Sequence, residues 1–209
     1  MKPWILKFFG ITLLSSALLL GARVPDADAF LNFGKDDKKS RVIIVFVDMS
    51  GSTNQARRTV YKDAFEKIYQ NLREGDRIVV GTITSRSFID FKPAVDAEIP
   101  KQSIWDNRLQ YEQKFAKTKN DLRAAVETLL TQRKGTPYTE ILNSLNIADT
   151  IFHNEERQKI LVILSDMLQD SKEYKFERTR ITDKYISDLI RYRQQQKMVP
   201  NLAGVKVYV

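Results

Sequence analysis

Residues 41–52 read RVIIVFVDMSGS, a run of mostly β-branched apolar residues that stops at an aspartate and a short polar loop. From Val42 to Val47 no polar residue alternates with the apolar ones, which predicts a strand buried on both faces. Such strands are typical of a parallel sheet covered by helices. The stretch therefore predicts an α/β fold with this strand, 41–47, inside the sheet.

Outward from this strand, the pattern alternates between strands and helices. Further strands are predicted at 77–84, 87–91, 159–165 and 205–209, the one at 87–91 as an edge strand because Pro93 follows it. Helices are predicted at 54–72, from near Trp105 to Leu130, at 141–152 and at 181–196. This alternation predicts an open, doubly wound, mostly parallel sheet with helices on both faces, a Rossmann-like fold.

The first predicted helix has apolar residues at helical spacing, which indicates the face it turns toward the sheet. They are Val60, Ala64, Phe65, Ile68 and Leu72. We expect all five to be part of the core.

The first 40 residues differ from the rest. Lys2 and Lys7 precede an uncharged, mostly apolar run at 8–22, and Ala27-Asp28-Ala29 fits a signal-peptidase site. The run is shorter than the ~20 residues a membrane-spanning helix needs, so we predict a cleaved signal peptide at 1–29 and an exported, periplasmic or secreted protein. An uncleaved anchor is the alternative. A polar linker follows at 30–40, and 41–209 forms the domain.

Composition narrows the chemistry further. The chain has 209 residues, a net charge of +8 and no cysteine. It therefore has no disulfide, no thiolate zinc site and no cysteine nucleophile. In an exported protein the basic surplus points to acidic partners or a solvated surface rather than to nucleic acid.

Polar side chains collect where two buried strands end. Asp48, Ser50 and Ser52 follow the first strand, Ser165-Asp166 closes the one at 159–165, and Thr136 lies in a loop before a helix. Ligands bind at the carboxyl ends of strands in such sheets. These hard oxygen donors suit Mg²⁺ or Mn²⁺. Because most of them are neutral hydroxyls, a bound ion would keep enough positive charge to attract an anionic ligand from outside.

At these residues the chain resembles the von Willebrand factor type A domain with its metal-ion-dependent adhesion site. The family pattern D-x-S-x-S appears as DMSGS from Asp48, the G-T loop ends at Thr136, and ILSD ends at Asp166. The resemblance covers about 41–209. It implies an Mg²⁺ or Mn²⁺ ion held by five residues: Asp48, Ser50, Ser52, Thr136 and Asp166. It also implies non-enzymatic binding of a protein partner through that partner's Asp or Glu side chain.

The sequence departs from the family at two points. Met167 stands where many relatives have glycine. The chain also stops at Val209, before the further helices and strand that relatives have, and an uncovered apolar strand would leave a sheet edge exposed. We therefore expect a truncated form of the domain.

Other interpretations remain. Asp48 could close a turn and Ser52 could cap a helix. A haloacid-dehalogenase-type phosphatase would use Asp48 as its nucleophile, but the second acid it needs is replaced by Ser50. The sole histidine, His153, lies at a helix end and is a poor catalytic base. A purely structural metal in a scaffold is the third possibility.

Overall fold

The computed structural model describes residues 39–50, 55–86, 89, 91–131 and 137–209. The predicted signal peptide and most of the predicted linker lie outside these residues. Five strands are described: β1 Arg41–Asp48, β2 Arg77–Ile83, β3 Val95–Glu98, β4 Gln158–Leu164 and β5 Val205–Tyr208. Four α-helices are described: α1 Gln55–Gln70, α2 Arg108–Thr131, α3 Ile141–Phe152 and α4 Asp183–Gln195. A 3₁₀ turn, Phe176–Arg178, precedes α4. In this part of the chain, no helix is both long enough and apolar enough to span a bilayer.

The strands form one sheet in the order β3-β2-β1-β4-β5. β1 runs parallel to β2 and β4, and β4 runs parallel to β5. Only β3, at one edge of this sheet, is antiparallel to its neighbour. The fold is therefore an open, mostly parallel α/β sheet of the Rossmann-like type, which confirms the fold class predicted from the sequence.

Strand β1 is the centre of the core, and every one of its residues is buried. On one face, Val42, Ile44 and Phe46 join a cluster with Ile147 and Phe152 of α3. Successive side chains of a strand point to opposite faces, so Ile43, Val45 and Val47 point the other way and are equally buried. Because both faces are covered, the continuous apolar run is explained by the fold.

The edge strand lies later in the chain than predicted. The structure places β3 at Val95–Glu98 rather than at 87–91. Within the predicted stretch, Phe91 lies outside any strand and packs edge-on against Phe46, with ring centroids 5.9 Å apart. Gly81 of β2 leaves the space for this ring, since a Cβ there would lie 2.4 Å from Phe91 Cε2. Phe91, which was predicted to lie in a strand, therefore packs against the core from a loop.

The inner face of α1 also differs from the prediction by one position. Val60 is 62% exposed, whereas Tyr61 is buried together with Phe65, Ile68 and Leu72. The prediction for Val60 is wrong because it favoured an aliphatic residue over a tyrosine whose ring is apolar. This shift turns Tyr61 toward the sheet.

The amino end of β1 is held by a buried ion pair. Arg41 and Asp76 are both fully buried, and the Arg41 guanidinium donates through Nε and Nη2 to the Asp76 carboxylate at 2.5–3.2 Å. Asp76 also accepts from the backbone N–H groups of Arg41 and Arg73. This network ties β1 to the turn before β2, at the end of the sheet away from Asp48.

Candidate metal site

The strand order creates a crevice at the carboxyl ends of β1 and β4. From β1 the chain moves outward to β2 and β3, then crosses back to β4 on the other side of β1. The loops after β1 and β4 therefore leave the sheet in opposite directions, and ligands of open α/β sheets bind at such a switch point. Asp48 ends β1, and Asp166 follows β4 by two residues. The two predicted carboxylates thus come from the two strands that flank the crevice.

Asp48 is nearly inaccessible, with 1% of its surface exposed. Its Oδ1 accepts the backbone N–H of Ser50 at 2.8 Å, and its Oδ2 accepts the hydroxyl of Ser165 at 2.8 Å. The Ser165 bond is possible because Val47 and Leu164 are register partners, which brings the next residues of both strands side by side. The Ser165–Asp48 hydrogen bond therefore extends the pairing of β1 and β4 beyond the strands, and together with the Ser50 N–H it orients the Asp48 carboxylate.

Asp166 is more accessible and is engaged differently. Its Oδ1 accepts the backbone N–H of Leu168 at 3.1 Å, which closes the turn after β4. Its Oδ2 accepts from Nη1 of Arg57 in α1 at 2.5 Å. The Asp166 side chain is 16% exposed and the Arg57 side chain 38%. Asp166 therefore both stabilises the turn of its own loop and forms an ion pair with the Arg57 side chain.

Tyr61 reports the negative charge of this crevice. Its pKa is raised to about 12, first by burial and then by the charges of Asp48 and Asp166, while Arg57 acts in the opposite direction. Each of the two carboxylates acts on the Tyr61 phenol, as charges near an ionisable group do. Tyr61 therefore experiences the charge of both predicted acidic ligands and of Arg57.

Three of the five predicted ligands lie within the described residues. Asp48, Ser50 and Asp166 belong to the edge just described, and Ser50 is buried. Ser52 and Thr136 lie outside the described residues. The described residues begin again at Pro137, next to Thr136. Thr139 pairs with Asp170 through two backbone hydrogen bonds of 2.7 and 3.1 Å. The segment that leads from Thr136 into α3 is therefore attached to the loop that carries Asp166.

Gln169 strengthens this attachment. Its side chain is buried, and its Oε1 accepts the backbone N–H of Leu142 in the first turn of α3 at 3.0 Å. Since the first N–H groups of a helix lack partners within the helix, Gln169 satisfies one of them. The loop after β4 thus also sets the start of α3.

Met167, the residue where many domains of the resembled family have glycine, has a backbone φ of +59°. This left-handed conformation is one that glycine adopts freely and other residues adopt at a cost. The side chain of Met167 is half-exposed, so burial does not offset that cost. The loop therefore keeps the backbone path that a glycine would favour, even though the sequence has methionine there.

Sequence reasoning missed two residues of the site, Arg57 and Tyr61. They stand four positions apart on α1 and share the face of Phe65, so the helical spacing places them in line with the core stripe. This spacing of four residues is the feature of the sequence that could have indicated both residues. The ion pair of Arg57 with Asp166 joins residues 109 positions apart, and no local pattern indicates it.

The donor set fits a hard divalent cation. Asp48, Ser50, Ser165 and Asp166 lie at or just after the ends of β1 and β4 and carry carboxylate and hydroxyl oxygens, the ligands that Mg²⁺ and Mn²⁺ prefer. Among the residues that the structure describes, no three His, Asp or Glu side chains gather as a metal-binding group. The predicted set has two carboxylates and three hydroxyls, so the fit depends on the hydroxyl oxygens as well.

Comparisons with known proteins found matches among solved structures. No family model matches the chain, and no curated protein matches it. Among solved structures, the pilus adhesin SpaC from Lactobacillus rhamnosus GG, in its open conformation, has a TM-score of 0.39 and 15% sequence identity to this chain. The match covers 61% of this chain and 15% of the adhesin.

Proposed function

We propose that the domain is an exported, non-enzymatic binding module that takes up Mg²⁺ or Mn²⁺ and captures an acidic side chain of a protein partner through the ion. The residues that hold the ion are Asp48, Ser50, Ser52, Thr136 and Asp166. Export rests on the signal-like sequence at 1–29. The proposal follows the resemblance to von Willebrand factor type A domains.

The observation that carries the proposal is the meeting of Asp48 and Asp166 at the switch point. The two acids come from strands far apart in sequence, and the Ser165–Asp48 hydrogen bond joins those strand ends. Two carboxylates at neighbouring strand ends favour the binding of a cation. Arg57 supplies one positive charge here. A pair of adjacent acids at the usual ligand-binding position of the fold is what a divalent cation would need.

The charge balance favours an acidic ligand over a neutral one. With Ser50, Ser52 and Thr136 as neutral direct donors, and with one or both carboxylates acting through water, the ion keeps part of its positive charge. An ion in this state attracts a further anionic oxygen. A partner's Asp or Glu side chain provides such an oxygen. The site then serves protein recognition, and the partner's sequence around the acid determines specificity.

The phosphatase alternative has weaker support. A nucleophilic Asp48 must reach a phosphorus atom directly, whereas a metal ligand can act through a bound water; the Asp48 side chain is buried and both of its oxygens accept hydrogen bonds. The position where a general acid would be needed holds Ser50, whose hydroxyl is a poor proton donor at neutral pH. The scaffold alternative uses the same ligands, and only the partner distinguishes it from adhesion.

Calorimetric titration of Mg²⁺ and Mn²⁺ into the full chain tests the metal. We expect one saturable site that Asp166→Ala removes. Asp170→Ala is the matched control, because Asp170 lies in the same loop but pairs with Thr139 through its backbone. Hydrolysis of p-nitrophenyl phosphate that Asp48→Ala abolishes would instead support the phosphatase.

The partner chemistry needs a second measurement. We expect the metal-loaded protein to bind immobilised peptides that contain Asp or Glu, and to lose this binding when the acids are replaced by Asn or Gln or when EDTA is added. Metal binding without any preference for acidic peptides would favour the structural scaffold.

A further inference from the structure

Every carboxylate oxygen of the site has a donor, but the donors differ in charge. Asp48 accepts from an amide and a hydroxyl, which are neutral groups. Asp166 accepts from the Leu168 amide through Oδ1 and from the Arg57 guanidinium through Oδ2. One oxygen of Asp166, Oδ2, is thus in direct contact with a cationic side chain.

Arg57 occupies an unfavourable place in its own helix. It lies in the first turn of α1 beside Arg58, and that turn contains no acidic residue. The amino end of a helix carries a partial positive charge, so a cation there is destabilising. The contact with Asp166 offsets this cost. Arg57 therefore has a favourable electrostatic contact with Asp166 and an unfavourable one with the end of its own helix.

We infer that Arg57 is an internal counter-cation that competes with the divalent metal for Asp166. The inference rests on the proposed metal site. In the metal-free protein Arg57 neutralises Asp166 and limits the repulsion between the two acids. A divalent ion on the same carboxylate would lie within a few ångströms of the guanidinium, where like charges repel strongly. Metal uptake therefore requires Arg57 to leave Asp166.

The competition has a direct consequence for the strength of metal binding. Part of the affinity of the acidic site is spent on releasing Arg57, so the native protein binds metal more weakly than its ligands alone would allow. The Arg57 side chain is partly exposed, which gives it a solvated position to move into. Arg57 is thus a regulator of occupancy, since any partner group that draws it away from Asp166 strengthens metal binding.

Metal affinity of charge variants tests the inference in the full chain. Mn²⁺ binding is measured from the electron paramagnetic resonance signal of free Mn²⁺. We expect Arg57→Gln to tighten Mn²⁺ binding by roughly twofold to fivefold, the range that corresponds to losing one partly exposed ion pair. Arg57→Lys keeps the charge and should stay close to the native value.

The neighbouring arginine supplies the matched control. Arg58 lies in the same helical turn, but its Nη1 donates to the Leu130 carbonyl of α2. Arg58→Gln removes an equal charge from the same helix end and should change Mn²⁺ affinity less than twofold. An equal gain in both variants would mean that overall charge, not the Asp166 contact, sets the affinity, and it would overturn the inference.

Displacement of the side chain is observable without any affinity measurement. In ¹⁵N-labelled protein the Arg57 Nε–H resonance, identified by its loss in Arg57→Gln, should move toward the position of a solvated arginine as Mg²⁺ is added. An unchanged resonance at saturating Mg²⁺, or weaker Mn²⁺ binding in Arg57→Gln, would refute the competition. Absence of metal binding in every variant, including Arg57→Gln, would instead refute the metal site itself and the inference with it.

Discussion

Removing the carboxylate of Asp76 is the perturbation for which the structure gives the clearest magnitude. Asp76 and Arg41 are both fully buried, and the carboxylate accepts from the guanidinium and from two backbone N–H groups. Asp76→Asn keeps the shape but removes the charge that neutralises Arg41. Breaking a buried pair from one side costs about 3–5 kcal/mol, because a desolvated charge loses its counter-charge. That is a large share of the ~5–15 kcal/mol that stabilises a typical domain.

Urea denaturation followed by circular dichroism measures this cost. We expect the midpoint to fall with little change in the slope, and the melting temperature to fall by roughly 6–20 °C. Asp96→Asn is the control, since the Arg77–Asp96 pair is partly exposed and should contribute about 1 kcal/mol or less. Arg41→Met combined with Asp76→Asn should recover part of the loss, because no buried charge is left unpaired and the asparagine oxygen can still accept a backbone N–H. A loss below about 1 kcal/mol in Asp76→Asn would refute the reasoning about burial.

Three further predictions concern single residues. The folded state raises the Tyr61 pKa from 10.0 to about 12. The contribution of Tyr61 to the free energy of unfolding is therefore fully present below pH 10 and decreases by up to about 2–3 kcal/mol as the pH rises toward 12. Urea titrations across this range should show a smaller decrease in Tyr61→Phe. Met167→Gly should raise the free energy of unfolding by about 0.5–1 kcal/mol, since relief of the left-handed conformation exceeds the entropic cost of glycine, and no gain in urea would contradict this. Gly81→Ala should lower it by about 1–3 kcal/mol because its Cβ would clash with Phe91, whereas an unchanged midpoint would mean that the ring moves freely.

The parts of the fold that the sequence predicts well are those with long, uniform patterns. Strands β1 and β4 are continuous apolar runs, and the structure ends each within one residue of its predicted limits. Helix α3 has the predicted bounds of 141–152. Strand β3 has four residues, VDAE, with one buried side chain, so its pattern is too short to indicate a strand. The more apolar stretch before it attracted the prediction instead.

Some residues of the candidate site could likewise be predicted from the sequence and others could not. Asp48 and Asp166 could be placed from sequence because each follows a buried strand, and the strand order brings those strands together. Arg57 could not, since its role depends on a contact between a helix and a distant loop. Tyr61 was overlooked because Val60 beside it is the more typical core residue. Local sequence pattern thus indicates the acidic residues at the strand ends. The arginine that neutralises one of them is identified only by the tertiary structure.

The central claim is that the crevice between β1 and β4 binds a divalent cation. A crystal structure of the full chain grown with Mn²⁺, with anomalous diffraction data recorded at the manganese edge, tests it most directly. We predict one anomalous peak within coordination distance of the Asp166 carboxylate and the Ser50 hydroxyl, with Arg57 turned away. An empty crevice at saturating Mn²⁺, or a peak elsewhere on the protein, would contradict it.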